Sequence, residues 1–90
     1  MTHARFESDA VLDAATNAFV FFGCADGEPI RCAITHEAVT AGLHVPPEAA
    51  CDPETFVAHQ RLIHRIAARL IDEKRWEPGG GIVIREADLT

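Results

Sequence analysis

The sequence predicts an α+β fold: an antiparallel β-hairpin and a C-terminal strand, packed against one long α-helix, with one short helix between them. Two strand-like runs, 18–24 and 28–35, flank Asp26-Gly27, which suits a two-residue hairpin turn because both turn residues need positive φ. A helical apolar pattern then follows a strong N-cap at Asp52, and a Pro-Gly-Gly-Gly run at 78–81 ends it. A last strand over residues 82–86 and a short tail follow.

The composition fits one domain over residues 1–90, with 48% apolar residues to form a single core. No apolar run approaches the roughly 20 residues that a membrane span requires, and the N-terminus lacks an apolar signal core. We therefore expect a cytoplasmic protein that does not bind membranes. The net charge of −6 disfavours a nucleic-acid-binding domain, since such domains are normally basic overall.

The first 17 residues are compatible with more than one structure. Arg5-Phe6-Glu7 can begin an edge strand, whereas residues 9–15 can form a helical turn or a loop that covers the sheet. An N-terminal strand is thus an optional part of the predicted sheet.

Two helices are predicted after the hairpin. Thr35 can cap a short helix from His36 to Gly42, because threonine is a good N-cap and glycine suits a helix end. The long helix begins after Asp52, with proline at its first position, and runs to about Trp76. Its predicted core face consists of Phe56, Ile63, Ile66, Ala67, Leu70 and Ile71.

The two-residue turn fixes the register of the hairpin and therefore its two faces. Counting back from the turn places Phe22 opposite Arg31. One face then carries the core residues Phe19, Phe21, Ile30, Cys32 and Ile34. The other carries Val20, Phe22, Cys24, Pro29, Arg31 and Ala33, and it is apolar enough to need a cover. We expect the N-terminal segment or a second copy of the chain there, and Val20, Phe22 and Arg31 are the candidate interaction face.

Residues that could support catalysis are scarce. The register puts Cys24 and Cys32 on opposite faces, so they cannot form a disulfide or share a metal. Three cysteines, the third being Cys51, fit buried thiols in a reducing compartment. The five histidines show no metal-ligand spacing, and no phosphate loop or nucleophile motif is present. We expect no cofactor, no metal and no catalysis; a thiol- or metal-dependent enzyme that uses Cys51 and a nearby histidine is the weakest alternative.

The long helix carries the main charge pattern of the chain. Arg61, Arg65 and Arg69 recur every four residues and form a basic stripe on one side. Such a stripe can bind phosphate, nucleic acid or an acidic partner. A solvated face that pairs loosely with nearby carboxylates is the simpler interpretation.

Over nearly its whole length the chain resembles a small bacterial family named only as domain of unknown function 1488. The resemblance rests on Phe21, Gly27, Ile30-Arg31-Cys32-Ala33-Ile34, Thr35-His36-Glu37-Ala38, the helix pattern Arg61, Ile63 and Ala67, and the closing Gly81-Ile82-Val83-Ile84. The strand-like segment that often begins the family pattern can be supplied by Phe6. The resemblance implies a compact α+β domain and brings no activity, cofactor or catalytic residue.

These observations favour a small cytoplasmic interaction or regulatory module that self-associates and has no catalytic activity. The alternative is a nucleic-acid or anion-binding accessory protein that uses the arginine stripe.

Overall fold

The computed structural model describes residues 4–89, apart from the side chain of Ser8. A mixed four-stranded sheet packs one face against a long helix, which confirms the predicted α+β class. The strands are β1 (Ala4–Asp13), β2 (Ala18–Ala25), β3 (Glu28–Ile34) and β4 (Ile82–Ile84), in that order across the sheet, and helix α1 spans Pro53–Asp72. A π-helical turn at Ala38–Gly42 and a 3₁₀ turn at Glu86–Leu89 complete the fold.

The hairpin of β2 and β3 has the predicted register. Asp26 and Gly27 form its turn with φ of 54° and 82°, as a turn with two left-handed residues requires. Phe22 lies opposite Arg31 on the neighbouring strand. The alternation of core and solvent-facing residues therefore follows from the turn.

The N-terminal segment is an edge strand. β1 runs antiparallel to β2, with Val11 opposite Val20, and its register shifts between Phe6 and Ala10. The helical turn or covering loop considered for residues 9–15 is therefore wrong, because residues 10–13 pair along β2 instead. The local sequence did not favour one structure for this segment. It becomes a strand because the otherwise unpaired edge of β2 offers it backbone hydrogen-bond partners.

The start of α1 is as predicted. The side chain of Asp52 accepts a hydrogen bond from the Glu54 N–H at 3.0 Å, and Pro53 occupies the first turn. The six predicted core residues are all buried on the sheet side of the helix: Phe56, Ile63, Ile66, Ala67, Leu70 and Ile71.

The end of α1 differs from the prediction. The helix ends at Asp72 rather than near Trp76. Lys74 adopts a left-handed conformation, with φ of 56°, and the Arg75 N–H then donates to the carbonyl of Leu70 at 2.9 Å. This closing pattern usually has glycine at the left-handed position, so a lysine there gave no signal in the sequence.

The short helical segment has the predicted cap and ends at Gly42 as predicted, but Gly42 is not the left-handed residue that follows it. The Ala38 N–H donates to Thr35 Oγ1 at 3.1 Å. The left-handed residue that follows is His44, with φ of 59°. Gly42 instead leaves room for Leu89, because a Cβ at this glycine would overlap the leucine side chain.

β4 runs parallel to β3 and pairs with only its last three residues, Cys32 to Ile34. The chain reaches β4 through α1, which lies across the inner face of the sheet. The largest fully buried side chains come from both layers: Phe19, Phe21, Phe56, Ile34, Ile63, Leu70, Ile82, Ile84 and Cys32.

Candidate functional site

The sheet has an outer face that points away from α1. The candidate residues Val20, Phe22 and Arg31 lie on it together, with Phe22 and Arg31 directly opposite each other. The outer face, as defined by strand alternation and register, consists of Arg5, Val11, Asp13, Ala18, Val20, Phe22, Cys24, Pro29, Arg31, Ala33 and Val83.

Large apolar side chains on the outer face are open to solvent. Val11 is 70% exposed and Phe22 is 47% exposed, whereas the neighbouring Phe21 is completely buried on the inner face. Because β1 lies beside β2 at the edge of the sheet, it does not cover the outer face. The N-terminal segment as a cover for this face was therefore a wrong expectation.

A shallow groove of about 400 Å³ lies beside Phe22. Gly23 lets the Phe6 ring lie close to β2 at this groove, because a Cβ on Gly23 would come within 2.8 Å of that ring. The groove is lined by Arg5, Phe6, Glu7, Phe22, Gly23, Cys24 and Pro29. It places an apolar depression next to an exposed aromatic ring.

Charges of both signs surround the apolar centre of the outer face. Arg5 and Arg31 project from it, and Glu7 lines the groove beside Phe22. Neither arginine takes part in the ion pairs found among residues 4–89. Both are therefore available to a carboxylate of another molecule.

The cysteines lie where the hairpin register placed them. Cys24 is exposed on the outer face and Cys32 is buried in the core, which confirms that they point to opposite sides. Burial raises the pKa of the Cys32 thiol to about 11, so it remains a protonated packing residue. Cys51 is half-buried just before the cap of α1.

The arginine stripe divides into two parts. Arg61 and Arg65 are exposed on α1, and the ion pairs within the described chain do not include them. Arg69 has a structural contact, because its Nη2 donates to the carbonyl of Asp88 at 2.8 Å and ties the helix to the last 3₁₀ turn. The free part of the stripe is therefore Arg61 and Arg65.

A family model described as a protein of unknown function, DUF1488, matches residues 5–84, which is most of the chain. The chain belongs to the DUF1488 family. The predicted family is thus confirmed, and its description assigns no activity.

A solved structure has the same DUF1488 fold. It is the crystal structure of a protein of unknown function from the DUF1488 family of Shewanella loihica PV-4, with a TM-score of 0.76 and 20% sequence identity over 90% of each chain. At this identity the likeness supports the fold alone. No curated protein matches the chain.

His64 is a feature of this DUF1488 domain that the sequence did not indicate. Its ring lies among three aromatic rings, with centroid distances of 4.7 Å to Phe6, 5.5 Å to Phe21 and 6.2 Å to Phe56. Its Nε2 is buried without a hydrogen-bond partner. Burial lowers the pKa of His64, so the neutral ring is favoured.

Among residues 4–89, no group of three or more His, Cys, Asp or Glu side chains is arranged to hold a metal ion. Nor does this part of the chain contain a helix with the length and apolarity to cross a bilayer.

A second cleft, of about 550 Å³, lies between the hairpin end and the segment that follows α1 in the DUF1488 fold. Arg31 and Trp76 are among the residues that line it, and Trp76 is 47% exposed. Trp76 lies four residues after the end of α1, and the sequence did not indicate this cleft.

Proposed function

We propose that the protein is a small non-catalytic interaction module that self-associates through the outer face of its sheet. The observation that carries this proposal is the exposure of Val11 and Phe22 on two neighbouring strands of the same sheet face. Single exposed apolar residues are ordinary, but a contiguous apolar patch on a small domain marks an interaction surface.

The chemistry of the outer face suits a second copy of the chain. Its apolar centre offers Phe22 beside a groove, so two copies related by a twofold axis can each insert this ring against the other. Arg31 and Glu7 lie around the same centre with opposite charges. A twofold arrangement can pair the cation of one copy with the carboxylate of the other.

The size of the patch indicates how strong this association is. The four strands lie about 4.8 Å apart and average about seven residues of 3.3 Å rise, which gives an area of roughly 400 Å². A stable interface buries about 800 Å² on each partner. We therefore expect a weak dimer, populated at high protein concentration and stabilised further by its charged rim.

The test compares two valines of similar exposure. Val11 lies on the outer face and is 70% exposed, and Val57 lies on α1 and is 63% exposed. We expect the average mass from light scattering to rise with concentration for the wild type and for Val57→Glu, but to stay that of a monomer for Val11→Glu. A strictly monomeric wild type at about 1 mM, or equal effects of the two substitutions, would refute self-association through this face.

A further inference from the structure

The inner strand β3 has a free backbone edge over its first half. β3 spans Glu28–Ile34, but β4 pairs only with Cys32 to Ile34. The Thr35 N–H donates to the Ile84 carbonyl at 3.0 Å, so odd-numbered residues of this strand direct their backbone groups toward the β4 side. Pro29 and Arg31 therefore face the same side, beyond the point where β4 begins.

The free edge offers one donor and one acceptor. Pro29 has no N–H, which leaves its carbonyl, and Arg31 contributes its amide N–H. The carbonyl of Arg31 is covered by Gly81, because a Cβ on that glycine would overlap it. Pairing here is thus limited to a short segment, and open-ended sheet growth is prevented by the proline.

The second cleft runs along this same edge. Pro29 and Arg31 line one side, and Ile71, Lys74 and Trp76 line the other. Its volume of about 550 Å³ lies within the range of ligand-binding clefts. The cleft thus combines unpaired strand backbone with an aliphatic and an aromatic side chain.

We propose that this cleft binds an extended peptide from another protein, which adds a short strand beside Pro29 and Arg31 and places an apolar side chain against Ile71 and Trp76. Strand addition explains why the backbone edge and the apolar wall occur together, because the peptide backbone pairs with the edge while its alternate side chains fill pockets.

The charges in the cleft define the peptide further. Asp26 and Glu28 lie at its hairpin end, and Arg31 lies at the end nearest β4. None of these three side chains takes part in the ion pairs found among residues 4–89. A matching peptide has a basic residue at the hairpin end, an apolar residue in the middle and an acidic residue near Arg31, since opposite charges favour cross-strand pairs.

The binding test uses synthetic peptides and the wild-type protein. Trp76 is the single tryptophan and the chain has no tyrosine, so its fluorescence reports the cleft directly. The probes are capped heptapeptides of the pattern Thr–basic–Thr–X–acidic–Thr–Thr, in both chain directions, with X as Leu, Phe or Ala. Side chains alternate along a strand, so X and the basic residue face α1 while the acidic residue faces the Arg31 side. We expect Leu and Phe peptides to shift the Trp76 emission, with at least tenfold weaker binding for Ala.

Backbone pairing is tested with two methylated versions of the best peptide. Each carries N-methyl groups on one of the two alternating sets of amides. Only one set faces β3 in an added strand, so we expect one version to lose binding at least tenfold and the other to retain it. Equal binding of both versions, or no emission shift with any peptide at about 1 mM, would overturn the proposal.

Protein variants provide an independent test of the same edge. Arg31→Pro removes the free N–H without touching the β2 side, and we expect it to abolish peptide binding while circular dichroism stays that of the wild type. Arg31→Ala keeps the N–H, and we expect binding within about threefold of the wild type. Wild-type binding by Arg31→Pro contradicts strand addition.

Two other occupants of the cleft are outcomes of the same experiment. If the Trp76 emission shifts with protein concentration in the absence of peptide, the β3 edge binds a second copy of the chain. If inorganic pyrophosphate shifts the emission, the cleft is an anion site. Either result overturns the peptide proposal. Self-association through the outer face is measured separately with Val11→Glu, so the failure of one proposal leaves the other intact.

Discussion

The imidazole ring of His64 stacks on the ring of Phe6, with centroids 4.7 Å apart and an angle of 18° between the planes. This contact joins α1 to the edge strand β1. Gly23 makes this stacking possible, because a side chain at position 23 of β2 would occupy the space of the Phe6 ring. The attachment of β1 therefore depends on a titratable group within an aromatic cluster.

Stability should depend on pH through His64. Burial lowers its pKa in the folded state below 6.5, whereas the unfolded chain takes up a proton near 6.5. The unfolded state then binds more protons, so the free energy of unfolding should fall as the pH drops below about 6.5, until the lowered native pKa is reached. Urea unfolding followed by circular dichroism from pH 7.5 to pH 5 measures this slope.

The control for this pH dependence is a second histidine on the same helix. His64→Phe keeps an aromatic ring without a titrating group and should flatten the slope. His59→Phe should not flatten it, because His59 lies outside the aromatic cluster, with its Nδ1 3.0 Å from the Thr55 carbonyl. An unchanged slope in His64→Phe would assign the pH dependence to other groups.

Mutation of Phe21 and mutation of the adjacent Phe22 should affect different properties: stability for Phe21 and self-association for Phe22. Phe21 is fully buried, so Phe21→Ala should lower the free energy of unfolding by about 3–5 kcal/mol. Phe22 is half-exposed, so Phe22→Ala should cost about 1 kcal/mol or less and should instead weaken self-association. Chemical denaturation measures the stability of both variants, and light scattering measures their self-association. A large loss of stability in Phe22→Ala would contradict the assignment of Phe22 to an interaction surface.

The glycines before β4 should differ sharply in their tolerance of a side chain. Gly81 has φ of 76°, and a Cβ there would overlap the Arg31 carbonyl. Gly81→Ala should therefore destabilise the fold by about 2 kcal/mol or more. Gly79 has open space around it, so Gly79→Ala should change the melting temperature little. Equal melting temperatures of the two variants would show that the approach of Gly81 to β3 is not required.

The arginine stripe should not bind nucleic acid under physiological salt. Arg61 and Arg65 are exposed, but the chain carries a net charge of −6 and Arg69 is already used within the fold. We expect no change in the fluorescence anisotropy of labelled single-stranded DNA or polyphosphate with the wild type or with Arg61→Gln/Arg65→Gln. Binding that weakens with salt and disappears in the double variant would instead support the anion-binding alternative.

Much of the fold could be predicted because its signals are local. The Asp26-Gly27 turn determined the hairpin register, and the cap at Asp52 determined the start of α1. The apolar spacing along α1 identified its buried face correctly. Each of these features depends on residues that are close together in the sequence.

The candidate sites could be predicted only in part. Alternation along β2 and β3 brought Val20, Phe22 and Arg31 to one face, but it left open what covers that face. Because β1 lies at the sheet edge, the N-terminal segment is excluded as the cover of this face, and a second copy of the chain is the expectation that is left. The helix end at Asp72 was missed because a lysine, not a glycine, adopts the left-handed conformation that closes it.

By itself, the sequence determined the α+β class, the hairpin register and the separation of Cys24 from Cys32. Only the tertiary structure placed Phe6 on His64 and left the edge of β3 free beside Trp76. These relationships join segments that are far apart in the chain. Their geometry follows from how the helix and the edge strand pack on the sheet, and no local spacing in the sequence encodes it.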